Sequence, residues 1–129
     1  MKLLSRFIKP VYAHCDLPCG VYDTVQAEVE AKSVYAIQTK YADLHDEDKI
    51  RAIFIKEQRA ELVKHHLWVL WTDYFKPEHV EKYPNLHELF WQATKQAGQC
   101  KKSIDPAEGK KLLEQIDEIA KIFAETKKA

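Results

Sequence analysis

The chain has 129 residues, with 20 Lys and Arg balanced by 20 Asp and Glu, so its formal net charge is zero. That length fits a single domain, 46% hydrophobic residues suffice for a core, and the lack of a basic excess argues against a nucleic-acid binder. No apolar run approaches the roughly 18 residues of a membrane span, and three Cys are too few for a disulfide scaffold.

Residues 1–13, MKLLSRFIKPVYA, carry three basic residues and no acidic one. Their apolar runs are shorter than the ~7–15 residues of a secretory signal, which leaves a frayed tail or a short pro-segment ending at Ala13. The next stretch, HCDLPCGVYD (14–23), holds two of the three Cys and one of the three Gly. Pro18 and Gly20 flank Cys19 and exclude a regular helix, so the segment is expected to form a compact hook.

The remainder reads as helices; with only three Gly and five Pro, few long elements are expected. Thr24 is a candidate N-cap for a first helix to Leu44, whose apolar stripe is Ala27, Val34, Ile37, Tyr41 and Leu44. Glu30 falls in the gap of that stripe and requires a partner. Asp46 to about Phe75 forms a long second helix, with Asp46 and Asp48 suited to its N-terminus. There Ile55, Leu62 and Val63 share a face with Arg59, and Val63, Leu67, Leu70 and Tyr74 continue the stripe. Pro77 opens a short turn. A third helix runs from Leu86 to about Ala97, stopped by Gly98. Asp105 and Pro106 start a fourth, with Leu112, Leu113, Ile116, Ile119, Ala120 and Phe123 in register. The tail, Glu125 to Ala129, is charged and expected to fray. The fold class is therefore all-α: an up-and-down four-helix bundle carrying an N-terminal hook.

Two thiolates on a tight turn suit a soft or borderline metal. A tetrahedral zinc site wants a second ligand pair, which is missing, since Cys100 has no close His. The backbone offers another solution. Cleavage between Ala13 and His14 would free an amine on His14. That amine, the Cys15 amide nitrogen, the Cys15 thiolate and the Cys19 thiolate make a planar two-nitrogen, two-sulfur set, the geometry favoured by nickel(II) or copper(II). The His14 imidazole could approach axially. Glu30 is a suitable acceptor for its other ring nitrogen, and Arg59 could pair with Glu30. Without the hook, the two residues would read first as a buried structural ion pair with no metal role.

The segment HCDLPCGVY (14–22) resembles the metal hook of nickel-containing superoxide dismutases, and the resemblance continues through KEQRAEL (56–62), KHH (64–66), DYFKP (73–77), EKYPNLH (81–87) and ETKKA (125–129). It implies a pro-form whose residues 1–13 are removed by a maturation protease cutting between Ala13 and His14, leaving a bundle domain over 14–129. It implies one nickel ion per subunit held by His14, Cys15 and Cys19. Glu30 and Arg59 would orient the axial imidazole, and Tyr22 and Tyr74 would line the approach. Asp16, Asp73 and Lys76 would lend the hook further support. The implied reaction is disproportionation of superoxide to dioxygen and hydrogen peroxide by cycling nickel(II) and nickel(III), in a homohexamer that has neither nucleic acid nor membrane as a partner. Without a secretory signal, the expected compartment is the cytoplasm, where thiols stay reduced.

Two other readings use the same residues. Cys15 and Cys19 could form a redox disulfide in a small helical thiol protein. Alternatively the hook is inert and Trp68, Trp71 and Trp91 anchor an interaction bundle. After loss of residues 1–13 the chain would carry 17 Lys and Arg against 20 Asp and Glu, a formal −3. Any attraction of an anionic substrate would then come from local cations.

Overall fold

The computed structural model describes residues 20–128. The pro-segment and the expected hook residues His14, Cys15, Asp16 and Cys19 lie outside them. Among the described residues are five α-helices and no strand: α1 (Val25–Lys40), α2 (Asp46–Val69), α3 (Pro77–Lys82), α4 (Leu86–Lys102) and α5 (Pro106–Lys128). A 3-10 turn (Tyr41–Asp43) follows α1, and a π turn (Leu70–Tyr74) extends α2. No helix of the described chain is long and apolar enough to cross a membrane.

The start of α1 is fixed by a neighbour of the expected cap. The Asp23 carboxylate accepts the Val25 N–H at 3.0 Å, while the Thr24 hydroxyl donates to the Glu28 carboxylate at 2.9 Å. The face that α1 buries is Ala27, Ala31, Val34 and Gln38. Ile37, Tyr41 and Leu44, expected in the core stripe, are only half-buried. Small Ala side chains let the neighbouring helices approach, so the core follows them rather than the bulkier residues one position away.

The same displacement occurs on α2, which buries Ala52, Lys56, Ala60, Val63 and Leu67. Ile55 and Leu62 stand on the outside, 38% and 37% exposed, contrary to the expected inward face. At its end the Phe75 N–H reaches the Leu70 carbonyl at 3.0 Å, five residues back. The wider turn places Phe75 directly above Leu70, so Phe75 is buried and Tyr74 is displaced to the side. Pro77 opens α3 as expected, and the imidazole Nδ1 of His79 accepts the Lys76 N–H at 3.1 Å.

Helix α4 does not stop at Gly98 but continues to Lys102. Its last carbonyls are satisfied from another helix: Lys56 Nζ donates to the carbonyls of Cys100 at 2.6 Å and Lys101 at 2.7 Å. Asp105 caps α5 by accepting the Ala107 N–H at 2.9 Å. The segment Glu125–Lys128, expected to fray, is the last turn of α5.

Helix α1 packs on α2 and α5, and α4 packs on the same two helices. The short links 41–45 and 103–105 make successive long helices antiparallel neighbours. The result is the expected up-and-down four-helix bundle, with α3 as a fifth, short helix in the α2–α4 connection. Its core runs from Ala27 and Ala31 through Val63, Leu67, Phe90 and Ala93 to Leu112, Ile116 and Ile119.

Candidate metal centre

The first described residue is Gly20, whose φ of +63° places it in the left-handed region that side-chain-bearing residues avoid. Two residues on, Tyr22 is 7% exposed and seated at the end of the bundle. The Tyr22 and Tyr74 rings lie 5.5 Å apart at 53°. Tyr74 is held on its other sides by Phe123 at 4.6 Å, Phe75 at 5.0 Å and the nearly parallel His79 ring at 5.9 Å. Such offset and tilted pairs suit the ring quadrupoles and fix an aromatic wall.

The carboxylate of Glu30 and the guanidinium of Arg59 do pair across α1 and α2. Arg59 Nη1 donates to both carboxylate oxygens, at 3.3 and 3.2 Å. The Glu30 side chain is 15% exposed and that of Arg59 41%, so the pair sits at the rim rather than in the core. His66, which the sequence did not single out as a site residue, connects the two groups. It lines a small pocket with Val21, Tyr22, Gln26 and Leu70, and it also feels the Glu30 charge. Burial, then the neighbouring His65, keeps its pKa below the usual histidine value, and Glu30 only partly offsets this.

Asp73 accepts a hydrogen bond from its neighbour Thr72 at 3.0 Å, and Lys76 caps α3. Asp73 lies within the π turn that displaces Tyr74, and Lys76 follows it. Thr126 was also missed. Its hydroxyl lies 2.8 Å from the Tyr74 hydroxyl, and Lys127 Nζ stands 5.6 Å from the centre of the Tyr74 ring. Its sequence signal was the block ETKKA, read both as a charged tail and as part of the family resemblance.

Among the described residues, no group of three or more His, Cys, Asp or Glu converges as a metal site. What they form is a scaffold: a glycine exit, an aromatic wall, and a carboxylate held by a guanidinium.

The description "nickel-containing superoxide dismutase" belongs to a family model that matches residues 9–127. Superoxide dismutase [Ni] from Streptomyces seoulensis is 60% identical over 133 residues, covering 98% of this chain and all of the relative. The enzyme of the same name from Streptomyces coelicolor is 57% identical over 131 residues, with the same coverage. A native nickel superoxide dismutase structure at 58% identity matches with a TM-score of 0.87, covering 90% of this chain and all of that one. These matches leave the thiol–disulfide reading without support. The chain belongs to the nickel-containing superoxide dismutases, nickel enzymes that disproportionate superoxide to dioxygen and hydrogen peroxide.

Proposed function

We propose that the nickel centre of this enzyme is the segment 14–19, matured by cleavage between Ala13 and His14. The ligands would be the amine and imidazole of His14, the amide nitrogen and thiolate of Cys15, and the thiolate of Cys19. The single observation that carries this is the donor set itself. Two thiolates and consecutive backbone nitrogens suit nickel, and the described residues offer no competing cluster. Two further findings support it. Solved relatives include variants at a histidine, an aspartate and a tyrosine whose spacing, two and then six residues, is that of His14, Asp16 and Tyr22. Solved relatives covered in full also leave about a tenth of this chain unmatched, the share that residues 1–13 make up.

When bound, nickel supplies the one-electron couple between its divalent and trivalent states. The protein supplies the rest. Glu30 would accept the second ring N–H of His14, and Arg59 holds the Glu30 carboxylate in place. Tyr22 and Tyr74 form the wall of the approach and restrict it to small molecules. Lys127, beside Tyr74, offsets part of the mature chain's negative charge where an anionic substrate must enter. Asp16, Asp73 and Lys76 would lend the hook further support. The working assembly is a homohexamer, for which Ile50, Phe54, Leu62, Trp68 and Trp91 provide exposed apolar contact surface. Its compartment is the cytoplasm, where Cys15 and Cys19 stay reduced for metal loading.

Intact mass and metal analysis of the purified active enzyme test the proposal together. The expected result is loss of residues 1–13 and about one nickel per chain, with both nickel and activity lost in Cys15→Ser and Cys19→Ser. An enzyme that retains residues 1–13 and still dismutes superoxide with bound nickel overturns the cleavage and the amine ligand.

A further inference from the structure

The wall residue Tyr74 has a polar end as well as a ring. Its hydroxyl lies 2.8 Å from Thr126 Oγ1, across 52 positions of sequence, where the last turn of α5 passes the π turn. Either oxygen could donate by distance alone, but the Thr126 hydroxyl has one hydrogen. That hydrogen is directed to the Phe123 carbonyl at 2.7 Å, within its own helix. The remaining proton on the pair is the phenolic one, so Tyr74 donates and Thr126 accepts. Thr126 is part-buried, and the ring of Phe123, whose carbonyl it holds, is itself 4.6 Å from Tyr74. One threonine therefore sets both the direction of the Tyr74 proton and the contact between the tyrosine and α5.

We propose that Thr126 is a positioning residue for the dismutation reaction, acting only through Tyr74. It commits the phenolic proton of Tyr74 to α5 and leaves the lone pairs of that oxygen for the approach to the hook. This rests on the reading of Tyr74 as a residue of the approach. The bond also depends on the π turn: with Phe75 taking the core position above Leu70, Tyr74 is free to reach sideways to Thr126.

The test is a cycle of Tyr74→Phe, Thr126→Val and the double variant, with Thr126→Ser as rescue, in nickel-loaded enzyme. Thr126→Val keeps the shape and removes the acceptor. Dismutation is expected to fall about threefold to tenfold in Thr126→Val with nickel content unchanged, and to recover in Thr126→Ser. On the Tyr74→Phe background, Thr126→Val is expected to have no further effect. A second readout does not depend on activity: in protein with ¹³Cζ-labelled tyrosine, the Tyr74 resonance should shift in Thr126→Val and return in Thr126→Ser. If Tyr74→Phe leaves the rate unchanged, the reading of Tyr74 fails. If Tyr74→Phe slows the enzyme but Thr126→Val does not, or if the two effects add in full, the role of Thr126 is overturned. An unmoved Tyr74 resonance in Thr126→Val overturns it as well.

Discussion

At the Tyr22 end of the bundle the helices meet through rings; at the far end they meet through amides and an ammonium. The far end is the α4–α5 turn, and three side chains from three helices converge on its carbonyls. Lys56 of α2 reaches Cys100 and Lys101, Gln38 of α1 reaches Ser103 at 3.1 Å, and Gln96 of α4 reaches Glu108 at 3.0 Å. The bonds from Lys56 and Gln38 satisfy carbonyls that the end of α4 leaves without partners, where an unmade bond is costly, and the bond from Gln96 ties α4 to the first turn of α5. At the Tyr22 end the rings of Tyr22, Tyr74, Phe75 and Phe123 pack in tilted and edge-on pairs, and the Tyr74 hydroxyl bonds Thr126. The polar end is tied by a network that joins three helices through carbonyls, whereas the Tyr22 end combines packed rings with the single directed chain from Tyr74 through Thr126 to the Phe123 carbonyl.

The comparison can be broken most severely at Gly109, on the α5 side of the polar end. A Cβ there would lie 2.2 Å from Gln38 Oε1 and 3.0 Å from the Tyr35 backbone. Gly109→Ala is therefore expected to destabilise the fold by about 1–3 kcal/mol in denaturant titrations, despite alanine's better helix propensity. Gly98→Ala is the control. Its Cβ would meet only the end of the Lys64 side chain at 3.5 Å, so it should be neutral or stabilising by up to about 1 kcal/mol.

Lys56→Met should cost about 1 kcal/mol near neutral pH by leaving two carbonyls without their donor. Burial holds the Lys56 pKa below 10.5. The unfolded chain therefore keeps its proton at alkaline pH values where the folded chain has lost it, and stability rises with pH across that window. The deficit of Lys56→Met relative to wild type should accordingly widen on the alkaline side, as measured by unfolding at several pH values.

The smallest energetic effect, and the sharpest contrast between the ends, concerns thiols. Cys100 is fully buried, and desolvation pushes its pKa up to about 11. Native protein treated with iodoacetamide at pH 8 should remain unmodified at Cys100 by peptide mass, whereas urea-unfolded protein should be alkylated there.

Much of this was legible in the residues. Two Cys, a Pro and a Gly within six positions single out residues 14–20 as the candidate metal segment, nearly all of which lies outside the described residues. The Glu30–Arg59 pair was legible because a charge within an apolar stripe must find a partner. The register of α1 and α2 was not. The chain buries Ala31, Ala52, Ala60, Gln38 and Lys56, and small or polar side chains carry no hydrophobic signal. Tyr74 was read into the core stripe because a spacing of four fits an ordinary helix. The wider π turn gives that place to Phe75, and no residue type announces such a turn. Thr126 was invisible for a related reason: its value depends on a ring 52 positions away.

The protonated state of Cys100 has a consequence for durability. Every catalytic cycle releases hydrogen peroxide, whose attack on cysteine proceeds through the thiolate and, if repeated, ends in irreversible acids. An exposed, acidic thiol at position 100 would be consumed by the enzyme's own product, and a charged sulfur acid at a fully buried site would disrupt the packing of α4. Held in the core with its proton retained, Cys100 is instead a packing group that the product leaves intact, so product tolerance is built into the end of the bundle opposite Tyr22.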